Sequence, residues 1–164
     1  AIELAKSKYG HSFDITGVDI SENMIKKARE NARAAKVGDR IQFLYGTAAA
    51  LPFPDNLFDL VMSYASLHHW FEPVAVFNEA ARVAKRTGTI IIRDNKRVFR
   101  YPFGRAAVWL ATRFMNKRHR ENWPKAILAS YTISEIKELV SKSQLRGCRI
   151  VTDFLCIDLS IESP

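Results

Sequence analysis

The sequence predicts an α/β domain built on a doubly wound, mainly parallel sheet. Apolar runs of strand length alternate with segments whose apolar residues recur at three- and four-residue steps. That alternation puts helices on both faces of a parallel sheet. At 164 residues, with 48% apolar and 26% charged, the chain suits one domain, residues 1–164, with a core of its own. The same balance excludes a disordered tail, a collagen-like repeat and a small disulfide scaffold.

Residues 1 to 9 read as the end of a helix, with Ile2, Leu4 and Ala5 apolar and Gly10 as its stop. FDITGVDI follows as a short strand ending at Asp19. Ser21 caps a helix whose apolar face is Met24, Ile25, Ala28, Ala32 and Ala35, closed by Gly38. IQFLY (41–45) is a second strand, and GTAAALPFPDN a loop. FDLVMSY (58–64) is a third strand, apolar enough to expect burial on both faces. Pro73 opens a helix carrying Val74, Phe77, Ala81 and Ala84, and Gly88 leads into the strand TIIIR. A further helix is expected from about Gly104 to Asn116. Thr132 and Glu135 then form a T-x-x-E capping box, with Tyr131 and Ile136 placed to staple the helix start. CRIVTDFLCIDLSIE closes the chain as one or two strands.

No apolar run approaches the roughly 18 to 20 residues of a membrane span. AIELAKSKYG is not a signal peptide, because Glu3 and Lys6 interrupt any apolar core. Cys148 and Cys156 sit in an alternating apolar stretch and are expected to pack as reduced thiols, which makes cytoplasmic localisation the expectation. The net charge of +8 is local: ten Lys or Arg stand against Asp94 and Glu121 between Arg93 and Lys125, and the remainder balances.

In open parallel sheets ligands bind beyond the carboxyl ends of the strands. That singles out Asp19, Gly46 to Ala50, Ser63 to His69, and Arg93 to Arg97. A carboxylate at Asp19 can accept from both hydroxyls of a ribose; the alternative is that it helps to cap the helix beginning near Ser21.

VDISENMIKKARENA, FLYGTAAALPFPDNLFDLVMSYASLHHW and ARVAKRTGTIIIRD together resemble the class I S-adenosylmethionine-dependent methyltransferases, within them the small-molecule branch that includes quinone-biosynthesis enzymes. LPFPDNLFDLV is the most specific string, and the resemblance covers residues 1–95 best. It implies a Rossmann-like methyltransferase fold with S-adenosylmethionine as cofactor. Asp19 would hold the ribose, Ile20 would pack on the adenine, and Gly46, Thr47 and Ala48 would border the adenine edge. Ser63 and Tyr64 would line the methionine end, while Phe58 and Asp59 are structural. Thr47 departs from the family, which usually carries an acid there to accept from the adenine amino group.

In the family a strand and a glycine-rich loop precede the helix beginning AIELA. This sequence opens inside that helix, so its first strand is expected to be absent and the chain to be a fragment, binding cofactor weakly by itself. His68 and His69 follow the third strand and are candidate catalytic residues, since imidazole can take a proton near neutrality. The alternative is that one faces solvent while the other shapes the pocket with Trp70. The histidines and cysteines show no metal-ligand spacing, and no serine elbow or phosphate loop occurs.

The basic stretch, 96–130, sits where the resembling enzymes carry a substrate cap. Three readings stand: a solvated cap helix, an anionic or lipid-like acceptor or membrane surface met through 105–118, and nucleic acid, which no recognised module supports. The resulting expectation is methyl transfer to a small-molecule acceptor. The alternatives are a methyltransferase-like binding module without activity, methylation of RNA, and a nicotinamide oxidoreductase, which LPFPDNLFDLV disfavours.

Overall fold

The computed structural model describes residues 1–8, 10–97, 110, 113, 125–152 and 156–161. The helix expected at 104–116, apart from Leu110 and Arg113, lies outside the described residues. The chain divides into two compact units, Ala1–Pro52 and Phe53–Pro164.

In the first unit, helix α1 (Ile2–Lys6) precedes strand β1 (Ile15–Asp19), helix α2 (Glu22–Ala34) and strand β2 (Ile41–Tyr45). β1 and β2 pair in parallel, Ile15 opposite Ile41 and Asp19 opposite Tyr45. Ile25 and Ala32, seven residues apart and so on one helical face, pack with Ala5, Val37, Ile41 and Phe43. Met24 lies off that face and is exposed. The Ser21 hydroxyl accepts the Met24 N–H at 3.3 Å, the expected cap.

Gly38 does not close α2. The Lys36 N–H bonds to the Arg33 carbonyl and the Val37 N–H to that of Ala32, both at 2.9 Å. This Schellman closure puts the left-handed residue at Lys36, φ +58°, two positions earlier. Burial of Val37 against the helix end outweighs the cost of a non-glycine residue there.

The second unit holds β3 (Phe58–Tyr64), α3 (Pro73–Val83), β4 (Ala84–Asn95), α4 (Ile133–Ser141), β5 (Arg149–Thr152) and β6 (Cys156–Ile161). The strand order is β3-β4-β6-β5, with β3 parallel to β4 and the other pairs antiparallel. Among the described residues β1 pairs only with β2, and β3 only with β4 among its neighbours in sheet order. The terminal apolar stretch is therefore an antiparallel hairpin on a parallel pair. Leu67, Phe77, Ile90, Ile92, Ile136, Val140, Leu145 and Ile157 form its core.

Two packing expectations change. β3 is not buried on both faces: Val61 packs on the core, while Met62 and Tyr64 are 58% and 72% exposed. Alternation along a strand sends neighbouring side chains to opposite faces, and one of these faces is uncovered among the described residues. The buried row of α3 is Val76, Phe77, Ala80 and Val83, turned from the expected Val74, Phe77, Ala81 and Ala84. Ala84 instead starts β4, which runs through Gly88 with a register shift opposite Phe58 and Leu60. The capping box of α4 is complete: Thr132 N–H donates to Glu135 Oε2 at 2.8 Å, and Glu135 N–H to the Thr132 hydroxyl at 3.4 Å. Cys148 is free and half-buried, and burial pushes its thiol above the ordinary value. No helix among the described residues is long and apolar enough to cross a membrane.

Candidate functional site

The first unit gathers five of the expected residues at the carboxyl ends of β1 and β2. Asp19 Oδ1 accepts the Ser21 N–H at 2.8 Å, fixing the turn into α2. One oxygen therefore shapes the helix entry, and Oδ2 has no partner among the described residues. Ile20, beside it, is 67% exposed, an apolar surface next to a carboxylate. The Gly46 N–H returns to the Asp19 carbonyl at 3.1 Å, which brings the loop after β2 alongside. Thr47 Oγ1 accepts the Ala49 N–H at 3.3 Å, and its carbonyl accepts the Ala50 N–H at 3.2 Å, so 47–50 is a tight turn with Ala48 half-buried inside it. The hydroxyl keeps one acceptor lone pair. A polar cleft of about 540 Å³, lined by His11, Asp14, Asp39 and Arg40, lies at the opposite ends of the same strands and belongs to no part of this arrangement.

The second unit holds the other four. Ser63 and Tyr64 end β3 opposite Ile92 and Arg93. The chain then turns at Ala65, whose φ of +52° is left-handed and whose N–H donates to the Arg93 carbonyl at 2.8 Å. Strain of this kind persists where the surroundings over-determine the backbone. A short 3-10 turn, Leu67–His69, follows, anchored by buried Leu67. His68 Nδ1 lies 2.8 and 3.0 Å from the two oxygens of Asp94, and the His68 N–H donates to Oδ2 at 3.0 Å. The Asn95 N–H donates to Oδ1 at 2.6 Å. Both side chains are buried, 4% and 2% exposed. His69 is exposed, its ring centroid 4.0 Å from that of His68, and Trp70 packs edge-on against Phe77 at 5.9 Å.

The two histidines thus have different surroundings, and Asp94, the buried partner of His68, was not singled out by the sequence. It lay within the strand-end stretch 93–97 without a role of its own. The available signal was a lone acid following the apolar run TIIIR at the head of a basic segment.

The specific string around LPFPDN also acquires a physical reason in this unit. Arg82, on α3, donates to both Glu79 oxygens at 2.7 Å, to the Phe53 carbonyl and to Asp55 Oδ1, both at 2.8 Å. Phe53 packs edge-on against Phe58, centroids 4.9 Å apart. Asp59 pairs with Lys85 at the surface, and that hydrogen bond holds its carboxyl below the ordinary value.

Residues 2–92 match the family described as methyltransferase domain. A 27-O-demethylrifamycin SV methyltransferase from Amycolatopsis mediterranei is 40% identical over 80 residues, 49% of this chain and 29% of that protein. A ubiquinone/menaquinone biosynthesis C-methyltransferase from Roseobacter denitrificans is 34% identical over 91 residues, 56% of this chain and 35% of that protein. The chain thus spans about a third of the length of these relatives. Among solved structures, a SAM-dependent methyltransferase from Aquifex aeolicus superposes with a TM-score of 0.62 at 19% identity, over 90% of this chain and 67% of that one, and shares the fold.

The family match and the shared fold identify a Rossmann-like methyltransferase domain. The chain belongs to the methyltransferase domain family, in the class I branch whose cofactor is S-adenosylmethionine. The residues present fit that group: an acceptor-only carboxylate oxygen suits vicinal hydroxyls, and exposed Ile20 suits the flat face of a base.

Proposed function

We propose that the protein transfers a methyl group from S-adenosylmethionine to a small-molecule acceptor in the cytoplasm. The observation that carries the reading is the Asp19 carboxylate, held by the Ser21 N–H at the end of β1 with one oxygen left over and Ile20 beside it. Asp19 would hold the ribose hydroxyls, Ile20 the adenine face, and Gly46, Thr47 and Ala48 its edge. Ser63 and Tyr64 would line the methionine end, with His68 and His69 on the acceptor. When bound, the sulfonium supplies an activated methyl group, and the chain's own work is alignment and proximity. The basic stretch 105–118 would meet an anionic or lipid-like acceptor, or the membrane surface that holds one. The names of the rifamycin and quinone relatives support a small organic acceptor.

Calorimetry on the full-length protein tests the reading. S-adenosylmethionine and its demethylated product should bind, and a nicotinamide dinucleotide should not. Asp19→Ala should cost about 1.5 to 3 kcal/mol, the range for hydrogen bonds to a charged group. Equal affinity in wild type and variant would remove Asp19 from the cofactor site.

A further inference from the structure

Parallel pairing brings the starts of β1 and β2 side by side, with Ile15 opposite Ile41. The residues just ahead of that pair therefore share one edge of the first unit. His11 lies in the short turn Gly10–Ser12, Phe13 and Asp14 precede Ile15, and Asp39 and Arg40 end the turn Gly38–Arg40. They line the polar cleft of about 540 Å³, a volume in the range of small-molecule sites. Asp14 and Arg40 each stand one residue before the register pair, yet no ion pair joins them. The side chains of His11, Asp14, Asp39 and Arg40 have no hydrogen-bond partner among the described residues. For the exposed His11, Asp14 and Asp39, water serves as the partner. Arg40 differs: it is half-buried, and its Nη2 is a buried donor with nothing to donate to. A donor on a charged group is costly to leave unmet, and a counter-charge brought against the same guanidinium offsets that cost.

The chemistry of the walls selects the ligand. Arg40 only donates and calls for an anionic acceptor, whereas Asp14 and Asp39 only accept and call for donors. A phosphate dianion on Arg40 would face two carboxylates, and a simple amine on the carboxylates would face the guanidinium. Either leaves like charges together. A group that carries one carboxylate and one ammonium satisfies both walls at once. Phe13, 44% exposed, adds an aromatic surface for an apolar side chain. We propose that this cleft is a second ligand site, for an α-amino acid with an apolar side chain. The amino acid's carboxylate meets Arg40, its ammonium meets Asp14 and Asp39, and its side chain lies on Phe13. The four steps from Ile15 to Asp19 span about 13 Å, which separates this site from the carboxylate at the other end of β1. The proposal therefore stands independently of methyl transfer.

Calorimetry on the full-length protein tests it, with L-phenylalanine as the probe. Saturating S-adenosylhomocysteine, itself an amino-acid derivative, keeps the cofactor site filled during the titration. L-phenylalanine should bind saturably. N-acetyl-L-phenylalanine lacks the ammonium and phenethylamine lacks the carboxylate; each of these, and inorganic phosphate, should bind at least about tenfold more weakly. Arg40→Gln, and Asp14→Asn combined with Asp39→Asn, should weaken L-phenylalanine by a similar factor while S-adenosylhomocysteine binds as in the wild type. Absence of saturable L-phenylalanine binding, equal binding of either analogue, tighter binding of phosphate, or wild-type affinity in Arg40→Gln would each overturn the proposal. The analogue series is read on the wild type, so it decides the matter even where a variant fails to fold.

Discussion

A Cβ atom at Gly88 would lie 2.9 Å from the Phe58 carbonyl oxygen, with the Lys85 and Asp59 carbonyl oxygens at 3.0 and 3.2 Å. All three are backbone atoms, which cannot swing aside as a flexible side chain would. The contact sits where the register between β3 and β4 shifts, and it requires the residue on β4 to lack a side chain. The position matters because β3 and β4 carry Ser63 and Asp94, and β3 leads into the turn that holds His68.

Gly88→Ala should therefore destabilise the second unit by about 1 to 3 kcal/mol, the usual cost of overpacking a close contact. Chemical denaturation with unchanged slope and a lowered midpoint would show it. A midpoint equal to that of the wild type would mean that the strand pair slides to make room.

Glu135 connects the α4 cap to the start of the basic segment. It accepts from the Thr132 N–H and hydroxyl and receives the Arg97 guanidinium, while the Arg97 N–H donates to the Tyr131 carbonyl at 3.0 Å. The Thr132 N–H first, then its hydroxyl and Arg97, hold the Glu135 carboxyl below the ordinary glutamate value despite some burial. The unfolded chain therefore binds the proton more readily than the folded one, so stability rises with pH through this window. The contribution is complete above the ordinary glutamate value, roughly 4.3, and is lost as acid lowers the pH through the depressed folded value. Thermal melts of wild type and Glu135→Gln should differ at neutral pH and converge as acid protonates the depressed carboxyl, while Thr132→Ala should cost about 0.5 to 2 kcal/mol at neutral pH. A gap that stays constant with pH would show that the carboxylate charge is irrelevant to the cap.

The basic segment is expected to act on the acceptor rather than the cofactor. Reversing Arg113, Lys117 and Arg118 to glutamate should leave S-adenosylmethionine affinity unchanged and weaken association with anionic lipid vesicles. The wild-type association should itself fall as salt rises, because exposed charges are screened beyond roughly 8 Å at physiological ionic strength. Loss of cofactor binding with vesicle association intact would place these residues in the cofactor site instead.

Much of this protein was legible one residue at a time. Strand limits at 58–64 and 41–45, the Ser21 cap and the Thr132–Glu135 box depend on interactions within a few residues, so local pattern and local geometry coincide. The strand-end position of Asp19 belongs to the same class, since the chain places Asp19 and Ser21 two residues apart whatever the rest of the fold does. Where chain neighbours left several solutions open, packing chose. The closure of α2 moved to Lys36 because Val37 is buried there, and the buried row of α3 turned because β4 starts at Ala84. Tertiary structure alone decided the difference between His68 and His69. The sequence presents them as equals, but a strand 26 residues away brings Asp94 to Nδ1 of one and to neither nitrogen of the other. A hydrogen bond over that separation leaves no periodicity to read, because its geometry comes from the pairing of β3 with β4 and not from the spacing of its partners along the chain.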